Sequence, residues 1–205
     1  LDLAIDFAYE SEMGATYACS LGARAGECPA DGSVTARGVK PGTYDFAVAA
    51  TDAAGNADAT PATRRFSVPF NDRKLKNVKK VWDRTSSNGS FRGTYLEVAD
   101  KGSKLKLRVT DAVSMALIYR QAPGLGAVDV FLGKTKLRTI KTKSTNTRVR
   151  KLSGITTFSS PTSGVVKIKT RNGKRVQIEG LGVRTSEVVS RPVPGPQATR
   201  GSFGF

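Results

Sequence analysis

Two cysteines nine positions apart, Cys19 and Cys28, one tryptophan, Trp82, and many basic residues in the second half are the side chains of this chain that could do chemistry. The cysteines allow either a reactive thiol pair or a disulfide, and two are too few for a four-ligand structural zinc site. Histidine is absent. That removes the commonest general base, the commonest metal ligand and every Ser-His or Cys-His nucleophile arrangement. There is no Gly-rich phosphate loop ending in Lys and Ser or Thr, and no calcium loop of spaced acids. The expectation is therefore a protein that is not an enzyme, with no catalytic residue, no metal ligand and no cofactor.

The basic residues are unevenly placed. Residues 1–70 hold 5 Lys and Arg against 9 Asp and Glu, a net of −4, whereas residues 71–205 hold 28 against 8, a net of +20. Such asymmetry implies two domains with different partners. Lys136, Arg138, Lys141, Lys143, Arg148, Arg150 and Lys151 fall within sixteen residues, and form a candidate polyanion face. Lys104, Lys106, Arg108, Lys167, Lys169 and Arg171 take outward positions in alternating stretches. A solvated, solubilising face is the plain explanation. The excess goes beyond what solubility asks, however, and would draw a polyanion strongly at low salt. For a secreted bacterial protein the expected polyanion is a wall teichoic or acidic polysaccharide; nucleic acid is the less favoured partner, since the stacking motifs of single-strand binders are absent.

These residues need a scaffold, and the patterning predicts strands throughout. Hydrophobic residues make up 39% of the 205, yet no apolar run approaches the roughly 18 residues of a spanning helix. In GTYDFAVAA (residues 42–50) Tyr44, Phe46, Val48 and Ala50 alternate with Asp45, Ala47 and Ala49, a strand with one buried face. LAIDFAYES (3–11), ATYACSL (15–21), SVTARGV (33–39) and ATRRFSV (62–68) complete a small antiparallel sandwich, punctuated by Asp31-Gly32 and Lys40-Pro41-Gly42. After Val68-Pro69-Phe70, strands are expected at KLKLRV (104–109), residues 113–119, residues 128–132, TKLRTIK (135–141), VVKIK (165–169) and RVQIEGLGV (175–183). Around eight strands in ~115 residues suggest a jelly roll or similar double-sheet sandwich. The expected domains are residues 1–69, 70–184 and a Pro/Gly-rich tail, 185–205, with Phe203 and Phe205 as candidate assembly anchors. The chain begins at Leu1 with neither Met nor a leader, and reads as a mature or partial chain.

The segments SEMGATYACSLG, Cys28, GVKPGTYDFAVAATDAAGN and TPATRRFSV resemble the small immunoglobulin-like modules of secreted bacterial, especially actinobacterial, proteins. Trp82, GSFRGTYL, GAVDVFLGKTKLRTI, SGVVKIKT and RVQIEGLGV in turn make the second part similar to jelly-roll, galactose-binding-like and carbohydrate-binding modules. The resemblance implies an all-β chain, secreted or at the cell surface, in which Cys19 and Cys28 form a disulfide across a hairpin. Modules of the first kind have one more strand before Leu3. Sugar sites of the second kind use aromatic platforms; Phe91, Tyr95 and Tyr119 read as core, and Trp82, beside DRTSSNGS, is the platform candidate. The implied function is non-catalytic adhesion, with the first domain a spacer and the basic jelly roll binding cell-wall or environmental glycans. The alternative is a structural subunit of a surface filament, sheath or virion, self-assembled through the tail or an open sheet edge.

Overall fold

The computed structural model describes residues 4–22 and 24–189. Among them every regular element longer than a single 3₁₀ turn is a strand. The chain divides into two compact units, one within Asp2–Val68 and Glu187–Phe205, the other Pro69–Ser186.

The first unit packs a four-stranded antiparallel sheet on a two-stranded one. β1 (Ala4–Ala8) pairs with β4 (Ser33–Arg37), while β2 (Thr16–Leu21), β3 (Arg24–Cys28), β5 (Gly42–Thr51) and β6 (Ala62–Val68) run in the order β3-β2-β5-β6. The alternation in β5 works as the pattern requires: Tyr44, Phe46 and Val48 are buried, and Asp45 and Ala47 face outward. Phe7 of β1 stacks on Phe46 of β5 with ring centroids 3.9 Å apart, joining the two layers. Cys19 on β2 and Cys28 on β3 are bonded, their Cα atoms 5.5 Å apart, so the pair is a disulfide across a hairpin as the resemblance implied.

Residues 187–189 also belong to this unit. The Val189 amide donates to the Thr43 carbonyl at 2.7 Å, and its side chain packs against the same core. A Cβ at Gly22 would lie 2.5 Å from the Val189 carbonyl oxygen, at a φ of +60° that already favours glycine. The described residues 187–189 of the Pro/Gly-rich tail thus pack beside β5. Phe203 and Phe205 lie outside the described residues.

The second unit is a nine-stranded antiparallel sheet curled into a sandwich. Its strands are β7 (Phe70–Asn71), β8 (Lys76–Asn77), β9 (Asp83–Ser86), β10 (Thr94–Val98), β11 (Lys104–Gln121), β12 (Ala127–Leu132), β13 (Thr135–Lys141), β14 (Arg148–Thr170) and β15 (Val176–Thr185). The order is β13-β12-β14-β11-β15-β10-β9, with β7 added to β15 and β8 to β11. The curl comes from the two long strands. β11 and β14 change register between Val109 and Ala112 and again between Ala112 and Ser114, Asp111 standing at φ +49°. Each slip inserts unpaired residues that bend and twist the strand. Leu105, Leu117, Val128, Ile168, Ile178 and Leu181 are fully buried and form one core inside the curl.

Two sequence expectations change here. Residues 104–109 and 113–119 are one strand, not two, because pairing with the neighbouring strand resumes after the register slips around Asp111 and the chain continues in the same direction. Residues 148–164, rich in Ser, Thr and Gly, extend the strand expected only at 165–169. Pro161, which cannot donate to a ladder, falls between the paired positions Thr157 and Thr162, where no partner is required.

Candidate functional site

The outward face of the sheet gathers lysines into rows. Opposite residues of an antiparallel pair carry their side chains on the same face, and burial of Leu105, Val166, Ile168, Val128 and Val130 fixes the inward one. The residues between them therefore point away from the core. Across β8, β11, β14, β12 and β13 they run Lys76, Lys106, Lys167, Phe131, Lys136. The neighbouring row across β11, β14, β12 and β13 runs Lys104, Lys169, Asp129, Thr139. Arg108 follows on β11, opposite Val165.

One carboxylate lies within these rows, and it is committed. Asp129 accepts from the Lys136 ammonium at 2.7 Å and from the Thr139 hydroxyl at 2.6 Å. Burial pushes its carboxyl upward, but the bonds from Lys136 and Thr139 and the nearby charge of Arg171 outweigh that and hold it below the ordinary value. Three like-charged pairs, Lys76 with Lys106, Lys106 with Lys167 and Lys104 with Lys169, are left directly opposed on strands about 4.8 Å apart. That spacing lies well inside the Debye length of roughly 8 Å at physiological salt. Phe131 is half-buried within its row, and the Lys167 ammonium stands 5.8 Å from its ring centroid.

The seven basic residues singled out from sequence do not share one face. Lys136 joins the lysine row. Arg138 donates through Nη1 to the Gly154 carbonyl, and Arg150 donates through Nε to the Gly89 carbonyl at 2.9 Å, so both hold chain to chain. Lys141 pairs with Ala127, Lys143 bridges to Ala122, Arg148 pairs with Gln121 and Lys151 with Tyr119, which places these four around the far end of β11. The sequence cluster missed the rows because Lys76, Lys104 and Lys167 are distant in the chain; outward parity on the alternating strands set Lys104, Lys106, Arg108, Lys167 and Lys169 apart, and register joins them to one another and to Lys76.

Trp82 does not serve as a platform. It is 3% exposed within the core of this unit, and its backbone is clasped by Asn77, whose amide donates to the Trp82 carbonyl at 2.8 Å. A buried ring has no face to offer a sugar. Tyr95 and Tyr119 are buried, as expected for core aromatics.

A second polar locus lies under the turn at residues 87–93. Glu179, fully buried, accepts from the amides of Phe91 and Arg150, the latter at 3.0 Å. Its two oxygens thereby tie the turn and the start of β14 to β15. Arg92 and Arg150 stand at φ +53° and +51°, conformations that non-glycine residues hold only when their surroundings impose them. Asp72, also fully buried, accepts from Arg84 Nε and the Thr94 hydroxyl, both at 2.6 Å. Among the described residues no group of three His, Cys, Asp or Glu side chains could hold a metal.

No family model matches the sequence, and no curated protein matches it. Among solved structures the chain is similar to the CBM36-1 domain of a multidomain xylanase from the hindgut metagenome of Trinervitermes trinervoides, at 11% identity and a TM-score of 0.44, over 59% of this chain and 98% of that one. It is also similar to a family two carbohydrate esterase from Cellvibrio japonicus, at 15% identity and 0.43, over 62% of this chain. The match spans about a third (35%) of the esterase. A Paenibacillus xanthan lyase gives 9% identity and 0.43, over 76% of this chain and 22% of the lyase. None of these scores reaches that of a shared fold.

Proposed function

We propose that the second unit is a non-catalytic module that binds an acidic glycan on its lysine rows, the first unit serving as a spacer, outside the cytoplasm. The observation that carries this reading is the set of directly opposed lysine pairs, Lys76 with Lys106, Lys106 with Lys167 and Lys104 with Lys169. Like charges set opposite each other lower stability. A polyanion lying across the strands relieves that repulsion and meets a cation at successive strand spacings. Phe131 adds an apolar surface beside the ammonium groups, suited to the C–H face of a sugar ring. Because strands carry these groups, little ordering is needed on binding. The Cys19–Cys28 disulfide supports an oxidising location such as the cell surface.

Affinity electrophoresis tests this reading. The protein should be retarded in gels containing polygalacturonate, much less so when salt is raised, and should migrate normally through neutral galactan. Retardation by the neutral polymer alone would contradict it.

A further inference from the structure

We propose that Arg120, with the turn at residues 87–93, forms an oxyanion site separate from the lysine rows, taking a carboxylate or a sulfate or phosphate ester. Arg120 lies half-buried near the end of β11. Its Nη1 donates to the hydroxyl oxygens of Ser87 and Ser90, each at 3.0 Å. Its guanidinium carbon stands 4.7 Å from the Tyr95 ring centroid. These contacts fix the plane of the group without neutralising it.

The remaining hydrogen-bond chemistry is all donor. Nε is shielded from solvent and has no partner, and no bond joins Nη2 to a described residue. No salt bridge joins Arg120 to a described residue. Ser87 and Ser90, each accepting from the guanidinium, have a hydroxyl hydrogen still to give, and Ser90 is 3% exposed. Glu179, the carboxylate under the same turn, is committed to the amides of Phe91 and Arg150. Donors in surplus around a partly desolvated cation call for a group that only accepts.

The first unit shows what that edge of an arginine takes. Arg65 uses Nε and Nη2 to grip both oxygens of Asp45, each at 2.7 Å. In Arg120 the same edge has no such partner. The proposed oxyanion takes the unpaired edge of Arg120 together with the Ser87 hydroxyl.

The test uses the full chain, labelled with nitrogen-15 and titrated separately with sodium sulfate, sodium phosphate and sodium glucuronate at ionic strength balanced by chloride. The Arg120 side-chain Nε–H resonance and the amides of residues 87–93 should move saturably with at least one of the three. The responding anion identifies the source as a sulfate ester, a phosphodiester or a uronic acid. Arg120→Lys should weaken that binding about tenfold or more, since it keeps the charge but loses the planar fork. Ser87→Ala with Ser90→Ala should weaken it as well, which covers the case of an unfolded lysine variant. Replacing Lys104, Lys106, Lys167 and Lys169 by Gln should leave it unchanged, so this site and the lysine rows can fail independently. No saturable shift with any anion, or equal affinity in Arg120→Lys, overturns the proposal.

Discussion

Lys106 stands directly opposite Lys167 on the neighbouring strand, with Lys76 on its other side. A sheet face evolved only for solubility would intersperse acids among such positions, because opposite charges across a strand pair stabilise and like charges do not. Here the nearest acid in the rows, Asp129, is bonded to Lys136.

Neutralising the pair should therefore stabilise the fold. Lys106→Gln with Lys167→Gln is expected to raise stability by about 0.2–1 kcal/mol at low salt. Urea denaturation should show the gain shrinking in high salt as screening removes the repulsion. The same variant should bind polygalacturonate more weakly, so stability and binding move in opposite directions.

Asp129→Asn should show the converse. Loss of the carboxylate frees Lys136 and strengthens polyanion binding while lowering stability. The sign with pH follows from the depressed carboxyl of Asp129. Its stabilising contribution is fully present above the unfolded carboxyl value of about 3.9 and is lost as pH falls through the lower folded value. Thermal melts of the wild type and the Asn variant should differ by a constant amount from about pH 5 upward and converge in acid. A difference that instead grew in acid would contradict the assignment.

Strand patterning was legible wherever apolar residues alternated over a half-buried face: GTYDFAVAAT, ATRRFSV and TKLRTIK are strands in the structure. Length was legible only where alternation continued. β14 begins in RVRKLSGITTFSSPTSG, whose small polar residues and proline carry turn chemistry, and it is extended because β11 pairs with it. The burial of Trp82 could not be read from its polar neighbours, since the strands that cover it are remote in sequence. The basic character of the site was visible in composition, whereas its rows depend on register, which places Lys104 beside Lys169 across a separation that no local pattern spans.

Reduction of the Cys19–Cys28 bond should lower the stability of the first unit by about 2.5–3 kcal/mol, the loop-closure contribution of a ring this size. The second unit holds no cysteine. Calorimetry with and without reductant should move one transition and leave the other in place.

Glu179 is expected to be structurally demanding. Glu179→Gln keeps one acceptor oxygen for the amides of Phe91 and Arg150 and should cost about 1.5–3 kcal/mol; Glu179→Ala leaves both amides without an acceptor and should cost more. Hydrogen exchange should quicken at both amides in the alanine variant.

Val189→Ala should destabilise the first unit alone, by about 1 kcal/mol, because that side chain packs on its core. Gly22→Ala should do the same through the crowded Val189 carbonyl and the left-handed backbone.

The most direct test of the lysine rows is differential labelling of amines by mass spectrometry, with the full chain free and bound to polygalacturonate. Lys76, Lys104, Lys106, Lys167 and Lys169 should be protected together, while Lys40 in the first unit and Lys151 at the far end of β11 should label at the same rate in both states. Uniform protection of all lysines, or protection centred on Lys151 with the rows still reactive, would contradict the account.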